Sequence, residues 1–304
     1  MNFIKQDVVA ASDLAKSAGS LDIAFYGRED LDDRSKFSAP QTRALARRSA
    51  LVQYDPLRFQ LKVGEQVFRT DELEDVPRRF PATSIAIDAT TMEFPEIALI
   101  LRAYRRLSPS APRCIFIYTE PENYVRRRTE EAAAPGSAFD LTLAFRAKNA
   151  IPAFTPMLSG NNKAHLVAFL GFEGARLSRV LSDDDGHFYA DVTVVFGIPP
   201  FQATWDMHAL MASTRLIEQH SPSVRFSGAN NPRGAYLLLQ EVHRGLRGSQ
   251  CDRLAVAPFG TKPAAVGAAL YCVENDAMRA VYDHPERKAG RTVGVHRTHW
   301  FEVT

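Results

Sequence analysis

The residues best suited to chemistry lie at 253–263, RLAVAPFGTKP, where an apolar run ends in Gly260-Thr261-Lys262 and a helical pattern begins. Gly260 permits close backbone approach and Thr261 offers a hydroxyl. Lys262 sets a cation at a helix N-terminus, where the dipole ordinarily favours acidic residues. Together they suit an anion, most often a phosphate. Other turns extend the set: 171–174 (GFEG), 197–201 (GIPPF), 228–234 (GANNPRG) and 282–285 (YDHP). They contribute Gly171 and Gly197 as points of close approach. Glu173 is a ribose acceptor or a helix cap, and Asn230 and Asn231 are base contacts or left-handed turn residues. Arg287 and Arg291 complete the candidate ligand-binding set, because arginine offers bidentate contacts to phosphate. With Lys288 and Arg297 they surround Asp283, His284, His296 and His299 in a glycine-containing segment. That segment is either a lid over an anion or a charged surface hairpin.

These turns gain meaning from the elements around them. Short apolar runs alternate with helical patterns, the signature of βαβ units around a mostly parallel sheet. In the first half, strands are predicted at 21–26 (LDIAFY), 84–87 (SIAI) and 114–118 (CIFIY), a basic helix at 39–50 and a helix at 94–107. LRFQLKVGEQVF reads as a hairpin about Gly64. A Pro- and Gly-containing stretch within 130–163 marks a boundary. Beyond it strands are predicted at 166–170, 192–196, 224–226, 254–257, 280–282 and 299–303. Helices are predicted at 175–181, 204–219, 235–246 and 264–274. The expectation is two tandem Rossmann-like units, 1–145 and 155–304. The candidate turns then fall at the carboxyl ends of the second unit's strands, where ligands of open α/β sheets collect. A weak internal repeat links SIAIDATT and IFIYTEP with LAVAPFGT and RAVYDHP.

Other chemistries find little support. The chain has no GxxxxGK[ST], GxGxxG, HExxH, GxSxG or CxxC pattern. Asp88, Glu120 and Glu122 stand near predicted strand ends, where acids serve catalysis or, more commonly, turns and caps. His296 and His299 fall on a predicted strand, which points them to opposite faces, so no metal is expected. No cofactor is expected either. The RRR and YRR runs read as solvated faces.

The composition of the 304 residues, 45% hydrophobic and 24% charged, is that of a globular chain. A formal charge of +2 argues against nucleic acid as the main partner. Cys114, Cys251 and Cys272 beside apolar runs read as free thiols of a reducing compartment. The opening MNFIKQDVVAA lacks the organisation of a secretory leader, and no apolar stretch approaches the ~18 residues of a spanning helix. A cytoplasmic protein without a membrane partner is expected.

The setting LAVAPFGTKPAAVGAAL resembles the strand-GTK-helix motif of CARF-type Rossmann-like domains, with Gly260, Thr261 and Lys262 the matching residues. Those domains sense cyclic oligoadenylates in prokaryotic antiviral immunity. The resemblance implies a nucleotide-sensing or regulatory protein of antiviral defence. The chain carries no recognisable nuclease segment, so such a sensor would act through a protein partner or a homo-oligomer. Two other functions remain open. One is an enzyme acting on a nucleotide or sugar phosphate, a hydrolase or transferase using Glu173 or Asp283 with Lys262. The other is a structural subunit of a larger complex.

Overall fold

A computed structural model describes residues 2–9, 14, 18–106, 111–126, 138–139, 141–145, 151–156, 163–184, 187–246, 253–276 and 278–304. The fold is mixed α/β. Contacts divide the chain into two units, Met1–Val125 with Arg287–Thr304, and Arg126–Glu286.

The first unit contains strands β1 (Phe3–Val9), β2 (Leu21–Tyr26), β3 (Ala46–Asp55), β4 (Gln60–Val63), β5 (Gln66–Arg69), β6 (Ser84–Asp88) and β7 (Arg113–Thr119). Its helices include α1 (Asp33–Ala44), α2 (Asp75–Arg79) and α3 (Phe94–Arg105). The second unit runs β8 (Ala164–Leu170), α4 (Ala175–Asp184), β9 (Tyr189–Gly197), α5 (Trp205–His220), β10 (Ser223–Ser227), α6 (Pro232–Leu246), β11 (Arg253–Pro258), α7 (Lys262–Glu274) and β12 (Arg279–Ala280). The chain then returns to the first unit with β13 (Thr298–Val303).

The first sheet has the order β1-β13-β7-β6-β2-β3-β4-β5. Its middle, β7-β6-β2-β3, is parallel, and the flanking pairs are antiparallel. The second sheet, β10-β9-β8-β11-β12, is parallel throughout. Buried on both faces, its inner strands β8 and β11 read as continuous apolar runs, LVAFL and LAVAP. That is why the sequence locates them well. The predicted hairpin is β4 and β5, with Gly64 at φ +58° in its turn.

Three features depart from the sequence reading. The helix expected at 39–50 is α1, which begins earlier and gives way to β3. Asp32 sets its start: Asp32 Oδ1 accepts from Ser35 N at 3.0 Å, and Ser35 Oγ accepts from Asp32 N at 2.9 Å. Pro40 therefore stands inside the helix. β1 carries too few buried residues to announce itself; its burial is almost wholly at its two ends. The boundary also differs from 1–145 and 155–304, because the last strand joins the first sheet. All six residues of β13 are buried, with Trp300 opposite Ile117 and Phe301 opposite Phe116 on β7. Trp300 joins Leu14, Leu21, Leu45, Ile115 and Ile117 in the core. Burial also explains the thiols: it pushes Cys114 up to about 11 and Cys272 up to about 12. Cys251 lies outside the described residues. Among the described residues no helix is long and apolar enough to cross a membrane.

Candidate functional site

The second unit's first strand, β8, lies at the centre of its sheet. The chain winds outward through β9 and β10, then crosses to β11 and β12 on the other side. The direction of winding reverses between the carboxyl ends of β8 and β11, and there an open parallel sheet forms its crevice. Gly171 follows β8 and Gly260 follows β11. A Cβ on Gly260 would stand 3.1 Å from the Leu170 carbonyl oxygen, and one on Gly171 would stand 3.4 Å from that of Phe259. The two turns thus meet backbone to backbone. At the next strand end, a Cβ on Gly197 would lie 3.1 Å from Ala229 Cβ.

Thr261 is the N-cap of α7. Its hydroxyl accepts from Ala264 N at 3.4 Å and donates to the Ala229 carbonyl at 2.6 Å, tying the GTK turn to the GANN turn. Lys262 is the first residue of α7, half-buried beside the helix's opening amides. Pro263 follows, as suits a first turn. Glu173 accepts from the Thr142 hydroxyl at 3.1 Å. Gly171, Glu173, Gly197, Asn230, Asn231, Gly260, Thr261 and Lys262 therefore all lie at or just beyond strand ends on one edge of one parallel sheet. For the asparagines the left-handed alternative does not hold. Neither adopts positive φ. Asn231 caps α6, its Oδ1 accepting from Gly234 N at 2.8 Å.

A residue the sequence reading missed fills this edge. Arg176, second in α4 and fully buried, forms a bidentate pair with Asp283, Nε to Oδ2 at 2.9 Å and Nη2 to Oδ1 at 2.5 Å. Its guanidinium stacks 4.4 Å from the Phe259 ring centroid and 5.5 Å from that of Tyr282. The signal was present: a cation in a helix's first turn is out of place with the dipole, the same anomaly that singled out Lys262. Asp283 gives both oxygens to this pair and is thereby removed from the candidate acids.

Arg287 and Arg291 belong to the first unit, not to the 155–304 unit assigned to them from sequence. Arg287 makes a bidentate pair with Glu93, at 3.1 and 3.2 Å. Arg291 is buried, its Nε 3.6 Å from Asp32 Oδ2. Gly290 N donates to the Leu31 carbonyl at 2.8 Å, and Thr292–Val293 pairs with Asn123–Tyr124. The expected lid is in these places an anchored segment.

The first unit winds as the second does, with β2 central, β3 on one side and β6 and β7 on the other. Gly27 follows β2, and its N–H donates to Thr91 Oγ1 at 2.8 Å. Asp88, at the end of β6, accepts from Ser38 Oγ, Thr90 N and Thr91 Oγ1 at 2.8, 2.9 and 2.8 Å. Burial pushes its carboxyl upward against those bonds. Asp88 is a turn-organising residue. Glu120 is buried and bonded to His299 Nε2.

No protein-family model matches the chain, and no curated protein matches it at a significant level.

Proposed function

We propose that the protein binds a nucleotide or other phosphorylated small molecule at the carboxyl edge of the second sheet. On this reading it is a sensing or regulatory protein of prokaryotic antiviral defence, cytoplasmic, with two Rossmann-like units. It works through a homo-oligomer or a protein partner. One observation carries the reading: the backbone-to-backbone meeting of Gly171 and Gly260 where the winding reverses, with Thr261 and Lys262 opening α7 beside it. Bare backbone and helix amides at a strand-end crevice favour a phosphate. The likeness of 254–270 to the CARF-type motif supports a nucleotide in particular. The commitment of Asp283 to Arg176 favours a sensor over an enzyme, since a general acid must be free to reach the reacting atom. Edge strand β10 exposes Val224 and Phe226, an apolar border that suits assembly with another chain.

Native mass spectrometry of freshly purified protein, followed by calorimetry with cyclic and linear oligoadenylates and mononucleotides, tests the reading. A bound nucleotide whose affinity falls about tenfold to a hundredfold in Lys262→Ala supports it, the worth of one charge-assisted contact. Full affinity in that variant refutes the site.

A further inference from the structure

The route of α6 leaves one strand of the second sheet without cover. The helix leaves β10 and delivers the chain to β11, and in the order β10-β9-β8-β11-β12 both β9 and β8 stand between them. α6 therefore passes over the intervening strands and does not cover β10. Parallel sheets ordinarily carry helices on both faces. Yet Val224 and Phe226, which share one face of β10, are 40% and 57% exposed. With Leu237, Leu238, Glu241 and Val242 of α6 they line a groove of about 570 Å³. Arg225 and Asn231 add a polar border, giving the apolar centre and polar rim that protein interfaces show.

The wall of this groove carries a ridge that matches its floor. Arg233, Leu237 and Glu241 follow at intervals of four along α6, so they stand one above another. All three are exposed, Leu237 at 45%, while Leu239 beside it is buried. Among the described residues neither Arg233 nor Glu241 has an ion-pair partner. A ridge that runs basic, apolar, acidic is complementary to itself when reversed. Laid antiparallel beside a second α6, each Arg233 meets the other copy's Glu241, and the two leucines lie between the pairs.

We propose that the groove between β10 and α6 is the interface of a two-fold homodimer, in which α6 of each copy enters the groove of the other. Leu237 then covers Val224 and Phe226 of the other copy, and Arg233 pairs with its Glu241, twice over. Plug and groove sit side by side on one surface, which is what an isologous contact needs to close at two copies. Were they far apart, chains would add head to tail without limit. A helix from a different protein would need the same apolar and charged order, and this chain already supplies it. The inference rests on the assembly proposed above, choosing a second copy over a different protein, and it does not depend on the phosphate site.

Sedimentation velocity of the whole chain over a range of concentrations is the test, with circular dichroism to check that each variant is folded. The native chain should be a dimer in equilibrium with monomer. Leu237→Asp, at an exposed position outside the core, should raise the dissociation constant more than about thirtyfold, the scale of one interface hot spot. Arg233→Glu and Glu241→Arg should each raise it about tenfold or more, since each sets like charges together in both pairs. The double variant Arg233→Glu with Glu241→Arg should recover most of the native affinity, because the pairs re-form with their signs exchanged. That recovery requires the two residues to meet across a two-fold axis. A native chain monomeric at every concentration would overturn the proposal and leave the groove to a helix of another protein. So would a dimer that persists unweakened in Leu237→Asp, or a double variant no tighter than the single ones. Native mass spectrometry of the same samples separates this inference from the ligand reading. Nucleotide carried by a monomeric native chain refutes the homodimer alone, and a dimer that takes up no nucleotide supports the homodimer and counts against the ligand.

Discussion

Replacing Asp283 by Asn keeps the side chain's shape and removes its charge, so it isolates the electrostatic share of the Arg176 pair. Arg176 is 2% exposed, and beside Asp283 its contacts include two ring faces and a carbonyl at 3.5 Å. Stripped of its carboxylate, the guanidinium is a buried cation that has lost its bidentate counter-charge. Breaking a buried pair on one side costs about 3–5 kcal/mol. At roughly 2–4 °C per kcal/mol for a domain of this size, the second unit should melt about 6–20 °C lower. Hydrogen exchange of the β8 and β11 amides in rising urea reads that unit separately from the first. The double replacement Arg176→Met with Asp283→Leu removes both charges and should lose less than the single change. An Asp283→Asn unit as stable as the native one within about 0.5 kcal/mol would refute this reasoning. Asp283 would then be free for chemistry, and the enzyme alternative would regain its acid.

Thr261→Ala deletes both the cap of α7 and the bond to the GANN turn, and should cost about 1–2 kcal/mol in urea denaturation. Gly260→Ala drives a methyl against the Leu170 carbonyl, so the turns must part; a loss of about 1–3 kcal/mol is expected, with weaker nucleotide binding by calorimetry. His165, bonded to Thr193 at 2.8 Å, is held below the ordinary imidazole pKa by burial. Its unfolded form therefore binds the proton more readily. The second unit keeps this contribution above pH 6.5 and loses it as pH falls below, by at most about 1.4 kcal/mol per pH unit. His165→Gln should flatten that part of the stability profile measured from pH 7.5 to 5.

Much of the second sheet was legible because parallel strands buried on both faces cannot help being apolar, and their turns carry Gly and Pro. The GTK turn was legible for the same reason, and because a lysine opens its helix. The fate of 39–50 was not: its buried positions within β3, Ala50 and Val52, alternate too briefly to outweigh the basic run before them. The reciprocal Asp32–Ser35 cap that starts α1 lay upstream in a cluster of acids. Long-range partners were the deeper blind spot. Arg176 and Asp283 are a hundred and seven positions apart, and Arg287 meets Glu93 across still more chain. Local pattern holds no record of which strand a returning segment will join, and so Arg287 and Arg291 were assigned to the second unit rather than the first.

The place of β13 also bears on the order in which the molecule assembles. It lies between β7 and β1, so β1 has no neighbour in the sheet until residues 298–303 arrive. On a ribosome the parallel core β2-β3-β6-β7 and then the entire second unit emerge first. Meanwhile the outer edge of β7, CIFIYT, stands uncovered for the whole interval. Such an apolar edge is a template for pairing with other chains, and contacts this distant in sequence form slowly. The nascent chain is thus exposed to misassociation until β13 has been made, and a chain truncated before β13 would carry that exposure permanently.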